Sequence, residues 1–204
     1  MDAGKQTVLY LHGKGGSAAE SEHYKPLFPD CDVIGLDYHT ASPWETGAEI
    51  RKAVEALRGS DITLIANSIG AFYSLYADID RLICRAYFIS PLVDMEQMIL
   101  SLLRQTGATE DDLQRHGILP TPFGETLAWD ELCYVRTHPV SWRVPTRILC
   151  GGKDALVPFD TVRAFSQKTG AKVTVMDTAA HWFHTPEELA FLDRWIKEPW
   201  TTIE

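Results

Sequence analysis

The run Asp61-Ile62-Thr63-Leu64-Ile65-Ala66-Asn67-Ser68-Ile69-Gly70 decides the fold. Up to Ala66 it is an apolar stretch that reads as a buried strand, and from Ile69 the apolar spacing becomes helical. Small residues stand two before and two after Ser68, at Ala66 and Gly70. Strand and helix backbones nearly touch at so abrupt a turn, which excludes bulk at either flank. A serine held out at the apex of such an elbow can attack a carbonyl once a base takes its proton. Ser68 is therefore the first candidate for chemistry.

Five further β-like runs flank this turn: Thr7–Leu11, Asp32–Leu36, Leu82–Ile89, Thr146–Cys150 and Lys172–Met176. Most are continuously apolar, as expected of strands covered on both faces. Helical patterns lie between them with clear start signals. Ser42-Pro43-Trp44-Glu45 and Thr185-Pro186-Glu187-Glu188 each offer an N-cap hydroxyl, a proline in the first turn and a glutamate three residues on. Alternating β and α elements predict an α/β fold, a mainly parallel sheet of about six or more strands with helices on both faces. The whole chain, 1–204, reads as one domain.

One connection is too long for a single crossover helix. Between Pro91 and Pro145, Met95, Met98, Ile99, Leu102 and Leu103 mark an amphipathic helix. Thr109–His116, closed by Gly117, marks a second helix and Leu127–Thr137 a third. Ile118-Leu119-Pro120-Thr121-Pro122-Phe123-Gly124 reads as a loop or short hairpin between them. The segment leaves from the C-terminal end of a strand, the edge at which open α/β sheets bind ligands. An insertion of about 92–140 is thus expected to cap the site, the alternative being padding at a sheet edge.

Bulk properties narrow the partners. A net charge of −9 argues against nucleic acid and anionic membrane, both of which attract basic surfaces. Cys31, Cys84, Cys133 and Cys150 show no paired or metal-type spacing. With no leader-like segment before the first strand and no apolar run of spanning length, a reducing cytoplasm is the expected home. Oligomeric state is not legible.

A nucleophilic serine needs a base, a group to orient that base, and donors for the oxyanion. Asp154 follows the strand Thr146–Cys150 in Gly151-Gly152-Lys153-Asp154, and His181 follows the strand Lys172–Met176 in Ala179-Ala180-His181-Trp182. Both stand just past strand C-termini, on the edge that carries Ser68. The first strand closes there too, in Leu11-His12-Gly13-Lys14-Gly15-Gly16. With these elements in this order, nearly the whole chain resembles an α/β-hydrolase-fold serine hydrolase. The resemblance implies Ser68 as nucleophile, His181 as general base and then acid, and Asp154 as the group fixing the histidine tautomer. It implies an oxyanion hole from the backbone N–H groups of Ile69 and Lys14. Ala66 departs from the family's usual glycine, which predicts a slightly tighter elbow.

Rival readings attach to single residues. Asp94 follows the strand Leu82–Ile89, a position some members of the fold use for the acid. His184 suits a helix entry better than a base, and a metal site of His181 with His184 lacks a third ligand. His12 is expected to pin the oxyanion turn. His12, Phe72, Trp129 and Trp182 are candidate pocket residues, although aromatics at such positions are often core. The expected activity is cleavage of a small-molecule carboxylic ester through an acyl-serine intermediate, with no cofactor and no metal. The alternatives are a thioester or small amide handled by the same groups, or a binding protein that keeps the fold without catalysis.

Overall fold

Strands β1 (Lys5–Leu11), β2 (Asp32–Leu36), β3 (Ser60–Asn67) and β4 (Arg85–Ile89) alternate with helices α1 (Pro43–Ala56) and α2 (Ile69–Leu75). The computed structural model describes residues 5–39, 42–122 and 124–200; the expected leader-free start at Met1–Gly4 and Phe123 of the expected loop lie outside it. After β4 come α3 (Met95–Thr106), α4 (Glu110–His116), β5 (Ile118–Pro120), β6 (Thr126–Ala128) and α5 (Trp129–Thr137). The chain closes with β7 (Thr146–Gly151), α6 (Phe159–Thr169), β8 (Lys172–Met176) and α7 (Pro186–Lys197). Six strands form one sheet in the order β2-β1-β3-β4-β7-β8, every pair parallel.

Period-two alternation divides the strand side chains between two cores. Leu9, Leu11, Ile62, Leu64, Ala66, Phe88 and Ile148 point to one face, where Ile50 of α1, Phe72 of α2, Ile99 of α3 and Val162 of α6 cover them. Val8, Tyr10, Ile65, Tyr87 and Leu149 point to the other, against Leu192, Trp195 and Ile196 of α7 and Tyr24 of a 3₁₀ segment, Ala18–Leu27. Both faces are dry, so the strands read as nearly unbroken apolar runs. Each fully buried Leu or Ile contributes about 1.5–3 kcal/mol.

Two differences from the sequence expectation have local causes. The strand expected from Leu82 begins at Arg85 because Leu82 N–H closes a turn on Ile79 O, at 2.8 Å. The 3₁₀ segment gave no helical signal: it contains Pro26 and buries only Ser21 and Tyr24, too few for an apolar stripe. The cap motifs at Ser42 and Thr185 do open α1 and α7, each hydroxyl accepting the N–H three residues on.

The insertion is bound to the body by apolar contact. Leu113, Leu127, Leu132 and Val135 belong to the same buried cluster as Leu64 and Phe88. Arg136 of α5 links the three helices, its Nε 2.7 Å from Glu96 of α3 and its Nη1 2.6 Å from Glu110 of α4. The connection between α4 and α5 is an antiparallel hairpin, β5 with β6. Among the described residues no helix is long and apolar enough to cross a membrane.

Gly70 makes the elbow possible. A Cβ there would stand 2.7 Å from His12 O and 2.9 Å from Leu11 O, so α2 leaves the sheet pressed against the end of β1. Backbone cannot yield as a side chain tip can. Gly70→Ala is expected to lower stability by about 1–3 kcal/mol, the usual range for overpacking; urea unfolding monitored by circular dichroism measures it.

Candidate active site

Ser68 has φ 51 and ψ −117, a conformation that L residues rarely adopt. Its backbone is held on both sides: Ser68 N–H donates to Ile89 O at 2.9 Å, and Leu92 N–H donates to Ser68 O at 3.1 Å. The β4 end therefore clamps the apex. Ala66 is fully buried, in register with Leu11 and Phe88, and the elbow forms with alanine at that flank.

Asp154 and His181 reach Ser68 from the β7 and β8 ends. Their two loops are stitched together by Gly152 N–H to Met176 O, 2.9 Å, and Lys153 N–H to Ala179 O, 2.8 Å. His181 Nδ1–H donates to Asp154 Oδ2 at 2.7 Å. That leaves the Nε2 lone pair for the Ser68 hydroxyl, 2.9 Å away. Asp154 Oδ1 accepts the amides of Leu156, at 2.8 Å, and Val157, at 3.0 Å. Burial alone would raise the Asp154 pKa, but the His181 hydrogen bond, the Val157 amide, the histidine charge and the Leu156 amide together hold it below the usual carboxylate value. The carboxylate stays ionised although its side chain is only 6% exposed.

Asp94 is elsewhere. It caps α3, its Oδ1 accepting Gln97 N–H at 3.0 Å. His184 is also apart, with Nδ1 2.8 Å from Trp182 O, and its residue opens onto α7.

The turn after β1 lies directly against Ser68: a Cβ on Gly13 would come within 3.3 Å of Ser68 Cβ. His12 shapes this turn, donating from Nδ1 to Gly13 O at 2.7 Å. Its ring stacks on Tyr38, 4.3 Å between centroids, and the Tyr38 hydroxyl donates to His12 O at 2.6 Å. Ile69 supplies the first N–H of α2, where a helix has no acceptor of its own. Lys14 turns its side chain outward, donating from Nζ to Gly124 O at 3.0 Å and Glu125 Oε2 at 2.7 Å. The β5–β6 hairpin of the insertion thus lies beside the Lys14 turn.

The aromatic candidates divide. Phe72 is only 1% exposed and packs on Tyr73 and Tyr76, so it is core and offers no wall to a ligand. Trp129 is half-buried at the start of α5 against the same core. Trp182 is exposed next to His181, its ring 6.4 Å from the imidazole between centroids. Sequence reasoning missed Tyr38 and Glu125. Tyr38 was within reach of the rule that found the others, since it stands just past the C-terminus of β2.

No protein-family model matches the sequence, and no curated protein matches it. Solved structures do. Alpha/beta hydrolase domain-containing protein 10 from mouse superposes with a TM-score of 0.77 at 17% identity, over 95% of this chain and 89% of that one. Est1E from Butyrivibrio proteoclasticus gives a TM-score of 0.73 at 18% identity, over 95% of this chain and 86% of that one. This chain has the α/β-hydrolase fold. A thioesterase domain from the curacin biosynthetic pathway is similar at a TM-score of 0.61 and 16% identity, over 94% and 91% of the two chains. At such identities the hydrolase fold is what is shared.

One carboxyl near the site is out of its ordinary range. Burial, and then the neighbouring Glu125, push Glu131 of α5 up to about 7. An unfolded glutamate titrates near 4.3, so between that value and about 7 the folded chain holds the extra proton and stability falls as pH rises. Glu131→Gln is expected to raise the thermal midpoint relative to the parent at pH 8 and to leave it nearly unchanged at pH 4; melts at the two pH values check the sign.

Proposed function

We propose that the protein is a serine hydrolase that cleaves a carboxylic ester of a small molecule through an acyl-serine intermediate. The observation that carries this reading is the unbroken relay from Ser68 Oγ to His181 Nε2 and from His181 Nδ1 to Asp154, at 2.9 and 2.7 Å, on a strained elbow. As Ser68 Oγ bonds to the ester carbonyl carbon, its proton passes to His181 Nε2. The carbonyl π electrons move to oxygen, and the resulting oxyanion takes hydrogen bonds from the Ile69 and Lys14 amides. Asp154 stabilises the imidazolium without taking its proton. When the tetrahedral intermediate collapses, His181 gives that proton to the departing alkoxide, which leaves as an alcohol. Water then repeats the sequence on the acyl-serine, losing its proton to His181 and releasing the acid.

The insertion is read as a cap, because Lys14 joins the oxyanion turn to its hairpin. Trp182 and Trp129 are read as the rim and inner side of the substrate site. No cofactor is required for these steps, and the partner is a small acyl substrate. The four free thiols favour a reducing compartment such as the cytoplasm.

A fluorophosphonate probe is expected to label Ser68 rapidly in the parent and not at all in Ser68→Ala, with ester turnover falling on the order of a thousandfold or more. Slow or absent labelling of the parent would instead favour a binding protein on this fold. Rates on matched ester, thioester and amide substrates separate the acyl classes.

The acid is tested separately. Asparagine at 154 can hold the wrong histidine tautomer, so Asp154→Asn is expected to lose at least about a hundredfold in kcat. Asp94→Asn keeps an N-cap side chain and is expected to change kcat little. The reverse ranking, measured on folded variants with one ester, would overturn the assignment.

A further inference from the structure

Ser90, just past β4, has φ 42, although it precedes Pro91, which disfavours that conformation further. Its side chain is 1% exposed, and Oγ has no hydrogen-bond partner among the described residues. Glycine would remove both costs at once. Backbone N–H is not in question, since it donates to Leu149 O at 2.7 Å. A serine kept at a strained, buried position points to a use for its hydroxyl.

Ser90 lines a cavity of about 310 Å³ that also touches Asp154, Cys150, Asp177, Phe159 and Val162. Neither Ser68 nor His181 lines it, so among the three relay residues it reaches Asp154 alone. Its volume suffices for several waters, each of which needs two or more polar partners. A carboxylate has about four acceptor positions. On Asp154, two on Oδ1 are taken by the Leu156 and Val157 amides and one on Oδ2 by His181, which leaves one.

We propose that Ser90 is a positioning residue: through a water held in this cavity, its hydroxyl supplies the fourth hydrogen bond to Asp154. The water accepts from Ser90 Oγ–H and donates to Asp154 Oδ2, which fixes the carboxylate against rotation and keeps Oδ2 aligned with His181 Nδ1. Cys150 and Asp177 are the other ionisable groups at the cavity. Burial and the adjacent Asp154 push the Cys150 thiol up to about 12, so it adds no charge near neutrality. The inference takes the relay to be catalytic as proposed above, but its main test does not depend on turnover.

Carbon-13 NMR of the aspartate carboxyls, with Asp154 assigned by its loss in Asp154→Asn, reads the midpoint of that carboxylate. Loss of one donor is expected to move it upward by roughly one pH unit in Ser90→Ala, with kcat falling about tenfold and KM little changed. Ser90→Gly relieves the backbone as it removes the hydroxyl; it is expected to show the same two changes, and it serves if the alanine variant does not fold. A high-resolution crystal structure of the parent is expected to place a water within hydrogen-bond distance of both Ser90 Oγ and Asp154 Oδ2. An unmoved Asp154 midpoint in a folded variant, even one with reduced kcat, would overturn the proposal, as would a water that touches only one of the two groups. If Ser68→Ala keeps full activity the hydrolase reading fails instead, and the midpoint still decides the part played by Ser90.

Discussion

The structure depends on one strained residue. Ser68 holds a positive φ, which for a residue with a Cβ costs on the order of 1–3 kcal/mol. The cost is offset by the two hydrogen bonds that hold its backbone between Ile89 and Leu92, and by the buried strand that leads into it. The same constraint dictates the neighbours. Gly70 lets α2 lie on the end of β1, and Gly13 lets the next turn approach the apex. A bulkier residue at either position would push Ser68, the β1 turn, or both out of place.

A parallel sheet then does what no local sequence can: it brings all six strand C-termini to one edge. Residues 68, 154 and 181 meet there although 113 positions separate the first from the last. Ionised Asp154 shows the balance of terms. Desolvation works against its charge, and hydrogen bonding by His181 and two backbone amides outweighs it. Backbone hydrogen bonds tie the two loops together and so fix the carboxylate and the imidazole in one frame.

Contacts of two different strengths fasten the insertion. Its helices share the main apolar cluster, where burial of Leu113 and Leu132 contributes several kcal/mol in sum, and Leu127 of β6 roots the hairpin in the same cluster. Its hairpin meets the β1 turn through Lys14 and Glu125, an exposed ion pair of the kind worth about 0–1 kcal/mol. Breaking the Lys14 contact therefore costs far less than drawing the helices or Leu127 out of the core. Burial and the neighbouring Glu125 push Glu131 up to about 7, so the protonation of this region changes near neutrality.

The α/β architecture was legible because strands dry on both faces leave continuous apolar runs, and because Ser42, Thr185 and Gly117 mark helix ends through local backbone chemistry. The elbow was legible for the same reason: its steric demands fall on residues two positions from Ser68. Order along the chain also suggested Asp154 and His181, since each follows a strand. Tertiary structure alone decided the rest. Chain order and the helix start at Asp94 favoured Asp154 as partner to His181, but the contact itself comes only from the packing of β7 beside β8. Phe72 reads equally as pocket wall or core until α2 is laid on the sheet, and Ser90 is an ordinary serine until its hydroxyl is found buried and its residue is found lining the cavity that Asp154 also lines. Short-range sterics and hydrogen bonds act over a few residues and leave their trace in sequence, whereas proximity between distant segments arises only when the sheet has closed its order.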